Sequence, residues 1–206
     1  DNTYKCKAII LAMGAEKRKL GLEHEDELIG KGISYCATCD GMFFKNKVVA
    51  IVGGGDTALG DAEYLADIVS KLYIIHRRDI FRGNERQVEV LKKKDNIEFI
   101  MNSNVTRLNG DKKLESIEVT NNDGTKQDIE VDGLFIAVGQ VPEVNNITSK
   151  FDVDERGYIK ASEDTLTNVD GIFVAGDIRT KELRQLTTAV SDGANAATKA
   201  IEYINR

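Results

Sequence analysis

Apolar residues in this chain fall either into short unbroken blocks or into runs with helical spacing. Residues 48–52, "VVAIV", are β-rich and apolar throughout, which suits a central parallel strand covered on both faces. A glycine triplet turns the chain. Residues 56–69 then carry Ala58, Leu59, Ala62, Leu65, Ala66 and Val69 at the spacing of one helix face. "KLYII" (71–75) is a second strand, so these segments form a βαβ unit.

The same reading predicts a buried strand in "AIILAMGA" (8–15), ended by Gly14, followed by a charged loop as far as Lys31. Further on it predicts a helix over 85–94 and a strand over 97–101. Residues 114–120 and 127–131 alternate about the turn "NNDGT", as in an antiparallel hairpin. "GLFIAVG" (133–139) returns to a buried strand, with Pro142 marking a boundary. The last third holds "GIFVAGD" (171–177) and a helix from about 186 to 203, whose apolar positions are Ala189, Val190, Ala194, Ala197, Ala200, Ile201 and Ile204. No short-period repeat or low-complexity linker interrupts the pattern.

Composition narrows the class. With 206 residues, 41% apolar and 30% charged, the chain is globular and long enough for one large domain or two modest ones. A net charge of -6 argues against a broad nucleic-acid surface. No apolar run reaches the length of a membrane span and nothing near Asp1 resembles a signal peptide, so a soluble cytoplasmic protein is expected. Three cysteines do not make a secreted disulfide scaffold.

Chemistry enters at two places. Gly53, Gly55 and Ala58 fit G-x-G-x-x-G/A between a strand and a helix. There glycine permits the tight turn and the approach of a pyrophosphate, and a small third residue lets helix and strand pack. Gly54, Asp56 and Thr57 complete the turn and the helix start, whose free N–H groups favour phosphate. Alone the motif is weak, because glycine clusters occur in many turns. In an NAD site an acidic residue about 20 positions on binds the ribose hydroxyl. Here that place reads "HRRDIFR", and His76, Arg77, Arg78 and Arg82 suit a 2′-phosphate. NADPH is therefore expected over NADH; the plain alternative is a solvated charge run.

The second place is "SYCATCDG" (34–41). Zinc would need two more ligands from Cys6, His24 and His76, and a four-residue ring is a poor structural staple. A redox dithiol of Cys36 and Cys39 is the remaining reading, with Asp40 either its proton donor or a loop carboxylate. Cys6 reads as a small buried hydrophobe, His24 as a surface residue.

"YCATCDG", "GGGDTA", "HRRDIFR" and "GIFVAGD" occur in this order over essentially the whole chain. Together they resemble the low-molecular-weight, bacterial-type thioredoxin reductases. The resemblance implies an α/β fold in which a Rossmann-like NADPH domain, a parallel sheet with an antiparallel hairpin, is inserted into an FAD domain. Here that would mean flavin segments at 1–17 and 144–206 around an NADPH domain at 18–143. It implies hydride passing from NADPH to FAD, then to the dithiol, then to thioredoxin. Cys39 would face the flavin, Cys36 exchange with the partner, and Asp40 supply protons. Asp177, with Gly176, would hold the ribityl chain; Arg184, Gln185 and Leu186 would contact the flavin, and Gly139 would join the cofactor site. A homodimer is implied too. The family's own glycine fingerprint for FAD lies upstream of the dithiol and is missing here, so a truncated flavin domain is expected. Two other readings follow: a chain that only binds NADPH, and a ferredoxin-dependent relative, in which the arginine cluster tends to be degraded.

Overall fold

The computed structural model describes residues 2–142, 144 and 148–206. It divides into two compact units, one of residues 1–17 with 140–206 and one of residues 18–139. The first unit opens with β1 (Ile9–Leu11) and β2 (Ala15–Lys17). The second holds α1 (Glu25–Leu28), β3 (Ile33–Ser34), α2 (Ala37–Asp40), β4 (Val48–Gly53), α3 (Asp56–Ala66), β5 (Lys71–Ile75) and α4 (Glu85–Leu91). It continues with β6 (Ile97–Ile100), β7 (Ser103–Asn109), β8 (Ser116–Asn121), β9 (Lys126–Glu130) and β10 (Gly133–Ala137). The chain then returns to the first unit with β11 (Gln140–Pro142), β12 (Ile172–Val174) and α5 (Leu186–Ile204). The segment end expected at 143 falls on a residue outside the described ones.

Unit 18–139 has three layers. A five-stranded sheet in the order β3-β10-β4-β5-β6, parallel at every pairing, is its centre. Period-two alternation sends Val49, Ile51, Leu72 and Ile74 to one face, against Leu59, Ala62 and Leu65 of α3 and Leu91 of α4. Ala50, Ile75, Leu134 and Ile136 face the other way, against Val105, Leu108, Ile117, Val119 and Ile129 of the antiparallel sheet β7-β8-β9. Leu59 and Leu65 are fully buried, each worth about 2 kcal/mol relative to exposure. Asn84 caps α4, its Oδ1 accepting from the Arg86 N–H at 2.9 Å, worth about 1 kcal/mol.

The antiparallel element has one strand more than the hairpin pattern predicts. In β7 the register shifts between Val105 and Arg107, so Val105 and Leu108, three apart, both reach the core. That bulge breaks the alternation by which a strand is recognised. β2 also departs from the expected loop, pairing with β11; β3, just beyond that loop, is a short edge strand beside β10.

In the other unit β1 and β12 pair in parallel, Ile10 opposite Phe173. Phe173 and Ala175 pack on Ala196 and Ala200 of α5, while Val174 and Ile178 pack with Phe151 and Ile159. The seat of α5 corrects the sequence pattern. Of the seven positions predicted as its apolar face only Ala200 is buried; Val190 and Ile201 are 65% and 61% exposed. Asp192 is buried instead, and with Ala196, Ala200 and the partly buried Tyr203 it forms the inward stripe. Cys6, expected inside, is exposed.

Candidate functional site: a dithiol turn, a glycine turn and a buried-aspartate turn

Cys36 and Cys39 are joined as a disulfide. Cys36 is the N-cap of α2 in extended conformation, and its Sγ accepts the Cys39 N–H at 3.3 Å. The sheet fixes this turn from one side: Ser34, opposite Phe135 of β10, is 4% exposed. Ala37 and Gly41 fix it from the other, Ala37 in the core and Gly41 against Tyr64 and Leu65 of α3, where a Cβ would come within 3.0 Å and 3.2 Å. The Ser34 hydroxyl donates to Asp40 Oδ2 at 2.7 Å and accepts from the Cys36 N–H at 3.1 Å. Just before Cys36, the Tyr35 hydroxyl donates to Glu25 Oε1 at 2.6 Å. That same carboxylate takes the N–H groups of Leu20, Gly21 and Leu22. Burial, then the neighbouring Glu25 carboxylate, push the Tyr35 phenol well above its ordinary value, so it stays protonated. Beyond the turn Met42 and Phe43 are exposed.

The glycine turn lies at the carboxyl end of β4, where β5 continues to one side and β10 lies on the other. This is the crevice where open α/β sheets bind ligands. A Cβ on Gly53 would stand 2.6 Å from both the Ala137 carbonyl oxygen and the Ala58 Cβ, and one on Gly54 would overlap the His76 ring. Gly55, the N-cap of α3, makes no side-chain cap bond, leaving the helix start to an anion. Asp56 does not compete for that place, since its Oδ1 accepts the Asn84 N–H at 2.8 Å; Thr57 beside it is exposed.

The arginine segment is fastened to this turn. The Gly54 carbonyl accepts the N–H groups of Arg82 and Gly83 at 2.8 Å and 3.1 Å. His76, predicted as a cofactor contact, lies beneath the turn: its ring is stacked on Phe81 and its Nε2 bonds the Ile80 carbonyl at 3.1 Å. Burial lowers its pKa, and the nearby Arg78 and Arg77 charges act in the same direction, so the ring is neutral at neutral pH. Arg77, Arg78 and Arg82 are exposed, and none pairs with a carboxylate among the described residues. Gly139 stands two residues beyond β10 with φ 102°, a conformation that favours glycine.

In unit 1–17 with 140–206, Gly176 (φ 79°) turns the chain after β12, and its N–H donates to Asp192 Oδ2 at 2.9 Å. Arg179 adds two bonds to Asp192, from Nε at 2.8 Å and Nη2 at 2.6 Å, and Lys181 Nζ a third at 2.8 Å. Burial would raise the Asp192 carboxyl, but these donors overcome it and hold it down at about 2. Asp177, in the middle of the turn, has a buried Oδ1 without a hydrogen-bond partner among the described residues. Arg184 is occupied by backbone carbonyls of Arg179 and Lys181 and lies over the Tyr158 ring at 3.9 Å. The Gln185 N–H donates to Thr188 Oγ1 at 3.2 Å, and Leu186 is 80% exposed. Ser34, Asp192 and Arg179 were not signalled by any spacing rule; only contact reveals them.

The disulfide turn and the glycine turn lie within one unit. The chain belongs to the family described as pyridine nucleotide-disulphide oxidoreductase, whose profile matches residues 1–193. Within it the chain is 46% identical over 204 residues to a protein of Listeria innocua named thioredoxin reductase, covering 98% of this chain. It spans 64% of the length of that relative. The crystal structure of thioredoxin reductase from Streptococcus pyogenes is similar with a TM-score of 0.92 and 36% identity, covering 100% of this chain and 68% of that one. A ferredoxin-flavin thioredoxin reductase of Clostridium acetobutylicum is similar with a TM-score of 0.51 and 32% identity, covering 96% of this chain and 63% of that one. Among the described residues no helix is long and apolar enough to cross a membrane.

Proposed function

We propose that the protein reduces the disulfide of thioredoxin with NADPH, through FAD and the Cys36–Cys39 pair. The observation that carries the reading is a closed Cys36–Cys39 disulfide, with Asp40 held at its edge, in the same unit as a glycine turn bordered by unpaired arginines. The residues fit NADPH, and on the flavin side Asp177 fits the ribityl part of FAD. Gly55, where a Cβ would stand 3.4 Å from Arg82 Nη2, leaves the backbone bare at the open start of α3 for a pyrophosphate, and Gly53 and Gly54 let the turn pack on Ala137, Ala58 and His76. Arg77, Arg78 and Arg82 offer exposed guanidinium groups to a 2′-phosphate, which favours NADPH over both NADH and a ferredoxin donor. The Asp177 Oδ1, without a hydrogen-bond partner among the described residues, would accept a ribityl hydroxyl; Gly176 precedes it in the turn, and Gln185 and Leu186 open α5.

FAD, when bound, would supply the hydride and electron-pair chemistry that links NADPH to the disulfide. The chain's own residues do the rest. Cys36 attacks the partner disulfide as thiolate and forms a mixed disulfide; one partner sulfur leaves and takes a proton. Cys39 then attacks Cys36 Sγ, restoring the Cys36–Cys39 disulfide and releasing the second partner sulfur, which takes the other proton. Two thiols are oxidised and two formed, and Asp40 carries the protons between them. We also infer a cytoplasmic homodimer, on the strength of the family resemblance.

The test is NADPH oxidation followed at 340 nm with thioredoxin disulfide as acceptor. The expected rate depends on both substrates and vanishes in Cys36→Ser. NADPH oxidation that ignores thioredoxin would overturn the proposal.

A further inference from the structure

We propose that Ser34 is a positioning residue for the dithiol: its buried hydroxyl fixes the Asp40 carboxylate in the rotamer from which protons move during disulfide exchange. This rests on the reading of Asp40 as proton carrier and deepens it.

Ser34 is the last residue of β3, is 4% exposed and pairs with Phe135, so its place is set by the sheet and not by the turn. Its Oγ stands 2.7 Å from Asp40 Oδ2, 3.1 Å from the Cys36 nitrogen and 3.3 Å from the Cys36 carbonyl oxygen. A hydroxyl has one proton to give. The carboxylate is both the nearer and the stronger acceptor, so that proton goes to Asp40 Oδ2 while the Cys36 N–H fills a lone pair. A directed path results: Cys36 N–H to Ser34 Oγ, then Ser34 O–H to Asp40 Oδ2. It joins the backbone of the attacking cysteine to the carboxylate four residues away across the turn.

The path makes the two oxygens of Asp40 unequal. Oδ2 is held by Ser34, and Oδ1 is left to carry the proton. In the exchange, Oδ1 takes a proton from a thiol of the reduced pair and gives it to the sulfur that leaves the partner disulfide. Atoms and electrons balance as in the exchange itself, because Ser34 neither gains nor loses a proton over the cycle. Without the hydroxyl Asp40 turns freely, and the Cys36 N–H loses its acceptor at a partly buried position.

Loss of one hydrogen bond to a charged group predicts about a tenfold effect or more. The protein, purified with its flavin from its host, is compared with Ser34→Ala, Asp40→Asn and the double variant by stopped flow. Bleaching of the flavin by NADPH is measured first, then reoxidation of the reduced dithiol by thioredoxin disulfide. Ser34→Ala is expected to slow reoxidation about tenfold, leave bleaching unchanged, lower kcat and leave KM for thioredoxin unchanged. In the Asp40→Asn background the same change should add nothing further. A Ser34→Ala rate equal to the parent while Asp40→Asn is slow overturns this proposal and leaves the proton role of Asp40 standing. Equal rates in all variants overturn that role as well. Slowing of both steps, or additive losses in the double variant, overturns the proposal by reducing Ser34 to ordinary structural support.

Discussion

Replacing Asp192 by asparagine isolates the most concentrated electrostatic element of the chain. The carboxylate is 1% exposed and accepts four hydrogen bonds: from the Gly176 N–H, from Nε and Nη2 of Arg179, and from Lys181 Nζ. Arg179 and Lys181 have side chains only 2% and 5% exposed, so in Asp192→Asn two buried cations face an amide, and Arg179 keeps Glu163, whose side chain is 80% exposed, as its counter-ion. Removing one partner of a buried pair costs about 3–5 kcal/mol. Part of that cost depends on pH. The Asp192 carboxyl falls from 3.8 to about 2 on folding, which contributes about 2 kcal/mol at neutral pH. Because the folded value is the lower one, this stabilisation is complete above the unfolded value and is lost as pH falls through the folded value. About half is gone at pH 3. Urea unfolding followed by circular dichroism should therefore show Asp192→Asn about 3 kcal/mol less stable at pH 7, with the gap about 1 kcal/mol narrower at pH 3. A gap under about 1 kcal/mol at pH 7, or one equal at both pH values, would refute the reasoning.

Gly54→Ala should raise the NADPH Kd more than tenfold by fluorescence titration and lower Tm, because the added Cβ meets a His76 ring held by Ile80 and Phe81. Overpacking of this kind costs about 1–3 kcal/mol. Gly60→Ala is its control: only Gln87 Nε2 comes within 4 Å, at 3.9 Å, and the helix should gain about 1 kcal/mol. Arg77→Ala with Arg78→Ala should weaken NADPH about a hundredfold, at roughly 1.5–3 kcal/mol per charge-assisted bond, and NADH by no more than about twofold. Equal losses for the two nucleotides, measured by titration, would count against the 2′-phosphate role.

The regular core was legible because its periodicities are undisturbed. β4, α3 and β5 carry unbroken runs, so the βαβ unit was legible from pattern, with the glycine turn at its first junction. β7 escaped because its bulge puts Val105 and Leu108 on one face at a spacing of three. The burial of α5 was misread for a different reason. An aspartate in mid-helix signals solvent, yet Asp192 turns inward to meet Arg179 and Lys181, which come from a loop no helical pattern can include. His76 was placed among the ligands because it precedes two arginines, whereas its ring serves the turn from below. Ser34 lay within the quoted dithiol motif and still carried no signal, since its role exists only once β3 brings the hydroxyl to Asp40.

The central claim is that reducing equivalents from NADPH reach the Cys36–Cys39 disulfide. The protein with its flavin is incubated anaerobically with NADPH, trapped with N-ethylmaleimide and digested for mass spectrometry. Cys36 and Cys39 are expected to carry label only when NADPH is present, with Cys6 labelled in both samples. A Cys36–Cys39 disulfide that survives NADPH while the flavin is fully bleached would contradict the account.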